Sequence, residues 1–338
     1  MPSPIHPPPA QPGDTVAILA PSSMVASQDC IDIAVERLRS RFDLEPVLYE
    51  TAQQNGEYLR EHPRERAADV MRAFEDPDIS AAIAVFGGDD QLRILKHLDP
   101  DILRENPTRF FGYSDNCNLS LYLWNLGIVS YSGGQVMPDL ACDPELHSYT
   151  AEYLRRAFFE ERLGELHPAS EWSDRFYDFD TGEPREWFDN HGWEWYGPST
   201  TVEGRLWGGC FEIISWHLQT ERYVPDTSDL EGAVLVLETA DDAPDAERIG
   251  WTLMCMGERG LLQQFDAVLV GRPATFAADV NREEYCAAQR EAILEQIERY
   301  NPGIPLVFGL DYGHTDPCIP LPLGADVTVD ATKEQISV

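Results

Sequence analysis

Arg109-Phe110-Phe111-Gly112-Tyr113-Ser114-Asp115-Asn116-Cys117 is the stretch on which the fold of this 338-residue chain turns. Arg109, Phe110 and Phe111 read as the end of a buried strand, and Gly112 then loosens the backbone. From Asn116 to Leu126 the apolar spacing becomes helical, through Leu119, Leu121, Tyr122, Leu123 and Leu126, and Gly127 follows as a C-terminal cap. A serine on so sharp a strand-to-helix turn has its hydroxyl pushed out of the sheet, beside backbone N–H groups at the positive end of a helix. Ser114 therefore suits two roles, a nucleophile or a plain N-cap, which a Ser-Asp pair makes well.

Working outward, strands are expected at 14–20, 45–49, 79–86, 109–113 and 128–131, separated by helices at 31–38, 63–75, 91–98 and 116–126. Such alternation means a parallel, doubly wound sheet with helices on both faces. Its strands then run into Pro21-Ser22-Ser23, Gly87-Gly88 and the Ser114 turn, at carboxyl ends where α/β sheets place their ligands. A helix over 143–160 comes next, and from 167 to 200 periodicity is lost while aromatics crowd in, among them Trp172, Phe176, Phe179, Trp187, Trp193 and Tyr196. Strands at 201–206, 231–237, 267–270 and 305–308 alternate with helices ending near 218, at 246–257 and at 282–299. The expected fold class is α/β with two domains. An N-terminal doubly wound domain (1–142) carries Ser114, a helix and aromatic linker or lid follows (143–200), and a C-terminal α/β domain (201–338) completes the chain.

Charge narrows the partners. With 59 acidic and 25 basic residues the net charge is −34, and Lys96 and Lys333 are the only lysines. Such a surface repels nucleic acid and anionic membranes. The acids are dispersed, not gathered in a tail, a pattern suited to a protein kept soluble at high salt, and a halophile is the expected source. No apolar run reaches membrane-span length, and the proline-rich start lacks the basic and apolar regions of a signal peptide, so the cytoplasm is the expected location. The seven cysteines are scattered with no Cys-x-x-Cys pair, and the eight histidines lack metal spacing. Reduced thiols are expected, and no metal or cofactor.

A serine nucleophile needs a base, and the base an orienting acid. His314 follows Gly313 in a loop behind a strand, and Glu238 closes the apolar run Val234-Leu235-Val236-Leu237. Taken singly, the histidine suits a surface or core site and the glutamate a cap. Together with Ser114 they sit at carboxyl ends of expected strands, in an order that serine hydrolases use. Gly87-Gly88 offers a close backbone approach, so the Gly88 and Asp115 N–H groups are the candidate oxyanion donors, while a merely tight turn is the plainer reading.

The motifs Pro12-Gly13-Asp14-Thr15-Val16, Phe86-Gly87-Gly88, Gly112-Tyr113-Ser114-Asp115, Val202-Glu203-Gly204 with Gly208-Gly209, Leu237-Glu238, Gly313-His314-Thr315-Asp316-Pro317 and Leu321-Pro322-Leu323-Gly324 resemble, in order and spacing, the LD-carboxypeptidase family of serine peptidases. Ala169-Ser170-Glu171-Trp172-Ser173-Asp174 and Thr315-Asp316-Pro317 are similar to its microcin C immunity branch. The resemblance implies Ser114 as nucleophile, His314 as base, Glu238 as its orienter, a cleft between the domains, and a homodimer. It also implies a small peptide or aminoacyl-nucleotide substrate, with Phe179 where the branch stacks an adenine on an aromatic. Cys210 stands where the Gly-Gly motif ordinarily continues with asparagine near the substrate, and Tyr131-Ser132-Gly133-Gly134 lacks the usual proline. A murein LD-carboxypeptidase is the alternative within the mechanism, and a non-catalytic ligand-binding protein the alternative of another class.

Overall fold

The computed structural model describes residues 4–142, 144–175, 177–178 and 181–338. Five short strands, β1 Thr15–Leu19, β2 Glu45–Leu48, β3 Ile79–Ala84, β4 Arg109–Phe111 and β5 Ser130–Ser132, make a parallel sheet in the spatial order β5-β4-β3-β1-β2. Along β1, Val16 and Ile18 enter one hydrophobic cluster while Ala17 and Leu19 enter another on the opposite face. In β3, Ala81 and Ile83 divide from Ala82 and Ala84 in the same way. Burial on both faces is why these strands read as unbroken apolar runs, and it requires helices above and below.

The rest of the chain supplies β6 Glu165–Leu166, β7 Glu171–Trp172, β8 Phe188–Asp189, β9 Glu194–Tyr196, β10 Thr201–Cys210, β11 Ala233–Glu238, β12 Phe265–Gly271, β13 Leu306–Leu310, β14 Leu321–Leu323, β15 Asp326–Asp330 and β16 Gln335–Ser337. Eight of them form a mixed sheet in the order β6-β16-β15-β10-β11-β12-β13-β9, whose centre, β10 to β13, is parallel. The long β10 serves two neighbours: its first half pairs antiparallel with β15, its second half parallel with β11. β14 leaves this sheet and joins the first one, antiparallel to β5. The molecule is thus a mixed α/β protein of two domains, with one hydrophobic cluster running from β1 and β3 through to β11 and β12.

Local departures from the sequence reading have physical causes. The helix expected at 91–98 is instead two 3-10 turns, Gln91–Arg93 and Leu95–His97. The buried Gln91 side chain donates to Asn116 Oδ1 (2.7 Å) and accepts from the Leu119 amide (2.9 Å), which bends this segment onto the Ser114 turn. The helix expected over 143–160 spans Ser148–Phe159, started by the His147 ring accepting from the Tyr149 amide. Within the aperiodic stretch, β7 and β8 pair with each other, and β9 becomes an edge strand beside β13.

Candidate active site

Ser114 lies between extended Tyr113 and the helix Cys117–Asn125, with φ of +59°. That left-handed conformation is uncommon for a residue with a Cβ and concentrates at functional turns. The hydroxyl meets His314 Nε2 at 3.1 Å. Gly87 closes against the other side of the serine: a Cβ there would stand 3.0 Å from Ser114 Cβ and 3.6 Å from the Asp115 amide nitrogen. Gly88 is as crowded, since a Cβ would come within 2.4 Å of Ser22 Oγ. The Asp115 side chain holds this junction together. Buried, it accepts from the Ser22 hydroxyl, from the amides of Asp90 (3.1 Å) and Gln91 (2.9 Å), and from Asn118 Nδ2 (2.9 Å). Burial raises its carboxyl to about 6, and those donors restrain the rise.

Glu238 ends β11, and His314 follows β13 by four residues. Their side chains meet at 2.6 Å, Nδ1 to Oε2. Glycine permits the approach. At Gly313, φ is +102° and a Cβ would lie 2.7 Å from Glu238 Cβ; at Gly271 one would lie 2.3 Å from the Tyr312 carbonyl oxygen. Burial opposes a charge on His314, but the Glu238 carboxylate, by its charge and its hydrogen bond, prevails and lifts the pKa to about 9. The Tyr113 ring meets the imidazole edge-on at 5.1 Å.

The histidine loop is fastened on three sides. Tyr312 Oη and Ser132 Oγ are 2.8 Å apart, Ser173 and Asp316 exchange two backbone hydrogen bonds of 2.8 Å, and Arg185 ion-pairs with Asp316. Just before it, buried Asp311 accepts from the Ala169 amide, Trp193 Nε1 and Arg272 Nη1, each at 3.0 Å. The aromatic segment is therefore tied to the loop that carries His314. Asp115 as a brace, Asp311 and Arg185 were not singled out by sequence reasoning. Asp311 directly follows an apolar strand, the one local hint, but its partners are distant in the chain.

Cys210 is buried at the end of β10, paired in register with Glu238, and its thiol donates to Glu212 Oε2 at 3.2 Å. Burial pushes that thiol well up. Phe179 lies outside the described residues.

A serine, a histidine and a glutamate converging from the carboxyl ends of β4, β13 and β11 define a two-domain α/β protein with the constellation of a serine hydrolase. Residues 16–133 match the LD-carboxypeptidase N-terminal domain and residues 203–329 the LD-carboxypeptidase C-terminal domain. The chain belongs to the LD-carboxypeptidase family of serine peptidases. Similar proteins include YocD of Bacillus subtilis, 27% identical over 325 residues covering 94% of each chain. Another is the microcin C7 self-immunity protein MccF of Escherichia coli, 25% identical over 283 residues, 81% of this chain and 78% of that one. Among solved structures, an MccF-like protein of Streptococcus pneumoniae in complex with AMP superposes with a TM-score of 0.87 at 27% identity, covering 96% of this chain and 98% of that one.

Proposed function

We propose that this protein is a serine peptidase or amidase that hydrolyses an amide bond in an aminoacyl-nucleotide or small peptide, in the manner of the microcin immunity branch. The observation that carries the reading is the unbroken line from Ser114 Oγ to His314 Nε2 (3.1 Å) and from His314 Nδ1 to Glu238 Oε2 (2.6 Å). Ser114 attacks the scissile carbonyl while His314 takes its proton, and Glu238 steadies the imidazolium that forms. The Gly88 and Asp115 amides hold the oxyanion. Collapse of the tetrahedral intermediate expels the amine, which receives the proton from His314. Water, deprotonated by the same histidine, then releases the acid from Ser114 and restores the enzyme.

The nucleotide half of the reading is supported by the AMP held by the Streptococcus pneumoniae relative, and the immunity half by the name of MccF. In it, Phe179 stacks the base and Cys210 belongs to the substrate-contacting neighbourhood. A second reading, cleavage of murein tetrapeptides, is favoured by a Bacillus subtilis relative named a probable murein peptide carboxypeptidase, 26% identical over 331 residues. A cytoplasmic homodimer is part of the proposal, and light scattering checks its assembly state. The deciding experiment is a hydrolysis screen of aminoacyl-sulfamoyl adenosines against D-amino-acid-terminated peptides in molar salt. Turnover of the adenosines is expected. Turnover of the peptides alone transfers the assignment to the murein reading, and turnover of neither removes the amidase reading.

A further inference from the structure

A second carboxylate stands behind the triad. Glu212, in the first turn of the helix Phe211–Thr220, is only 8% exposed. Its Oε2 accepts from Cys210 Sγ and from the Ala240 amide, each at 3.2 Å. Those partners close the ends of two adjacent strands: Cys210 finishes β10, and Ala240 sits two residues past Glu238, which finishes β11 in register with Cys210. One carboxylate oxygen thus clamps the turn from which Glu238 reaches His314. The other, Oε1, is buried with no hydrogen-bond partner among the described residues. An unsatisfied buried carboxylate oxygen is costly, and near a developing positive charge the cost is reduced. From the opposite side, Gln289 Nε2 holds Thr239 Oγ1 at 3.1 Å, so residues 238–240 are fixed from two elements.

We infer that Glu212 is a positioning residue for the triad: it fixes the turn that aims Glu238, and its negative charge adds to that of Glu238 in favouring the imidazolium of His314. The inference rests on the triad reading above. The groups facing the imidazole are Glu238 and Asp241 from β11 and the turn after it, Ser114 and Tyr113 from the nucleophile turn, and Asp139 from the 136–140 turn, with Asp316 on the same loop paired to Arg185. Asp139 and Asp316 remain in place when Glu212 is changed, so the effect of Glu212 is read against a constant background. Burial and the charge of Glu238 raise the Glu212 carboxyl itself, as two like charges behind one histidine require.

The test compares wild type, Glu212→Gln and Glu212→Ala. Glutamine keeps the shape and an acceptor for the Ala240 amide but removes the charge; alanine removes both. Ring-nitrogen NMR titration of His314 reads the charge effect without any substrate, and kcat and KM on glutamyl-sulfamoyl adenosine read the aim of the triad. Both variants should lower the His314 pKa. Alanine should lower kcat roughly 10- to 150-fold, the loss expected for one charge-assisted hydrogen bond, and glutamine less, with KM nearly unchanged in each. A His314 pKa unmoved in Glu212→Gln overturns the electrostatic half. Unchanged kcat in a folded Glu212→Ala, checked by circular dichroism, or a loss carried by KM, overturns the positioning half. If wild type hydrolyses no substrate, the amidase reading fails while the titration still decides whether Glu212 acts on His314.

Discussion

At the scale of single residues, Ser114 and His314 touch across 200 positions of sequence, and what each contributes is separable. Under the proposed mechanism, Ser114→Ala and His314→Ala should each lower kcat by several orders of magnitude with the fold intact, because the proposed oxyanion donors survive while the proposed nucleophile or base is gone. Glu238→Gln should lose less. Steady-state kinetics with matched melting curves check this, and activity persisting in Ser114→Ala would sink the assignment. The raised pKa of His314 makes a second prediction. A base must be unprotonated to act, so kcat/KM should climb with pH until His314 loses its proton near 9, well above the 6.5 of an unperturbed histidine. Glu238→Gln should move that limb to lower pH; an acidic limb already complete by pH 7 in the wild type would contradict it. The stability linkage runs the other way. A pKa raised on folding stabilises the protein fully below the unfolded value of 6.5, and that contribution disappears as pH rises through about 9. Activity should therefore rise over the same range in which this stabilisation fades.

Among the elements, those with a strong local signal were readable from sequence. The apolar runs of β4, β11 and β13, with Gly112 and Gly313 in the turns after the first and the last, mark where Ser114, Glu238 and His314 emerge, since a buried parallel strand leaves little room for another pattern. The segment 91–98 departs from its helical pattern because its shape is set by the distant Asn116 and Leu119, which no local periodicity records. β9 and β14 are three residues each, too short for alternation to show. Asp115 as a brace and Glu212 as a clamp were illegible for the same reason: their partners come from other elements. The aromatic stretch lies between these cases. Its Ser173 grips the histidine loop, which supports a role near substrate, while the stacking aromatic is a proposal to be measured. Stacking on a base is worth about 1–3 kcal/mol, so Phe179→Ala should raise KM for an adenylate-bearing substrate roughly 5- to 150-fold and leave a plain D-terminated peptide nearly unaffected. Equal losses on both would mark Phe179 as structural.

For the whole molecule, part of the scarce positive charge sits inside the fold, each base there taking an acid with it. Arg66, Arg185 and Arg272 are withdrawn into buried ion pairs with Asp90, Asp316 and Asp311, and Arg282 is largely covered against Asp174. These neutral pairs leave the excess of acid that the net −34 records to the exterior. Raising salt from about 0.1 M to about 1 M shortens the reach of that repulsion from about 10 Å to about 3 Å. The melting temperature and kcat/KM should both rise over that range; a melting temperature that falls with added potassium chloride would argue against adaptation to brine. The return of β14 to the first sheet has a consequence of another kind. Residues 311–320, which include His314, hang between β13 in one sheet and β14 in the other, like a cable moored on both banks. Any tilt of one half against the other is felt first along that cable, so the spacing of Ser114 and His314 gauges how the two halves are seated. Cut apart, the first half would be left with the bare edge of β5, an invitation to aggregate, and the second with a stray strand lacking its berth.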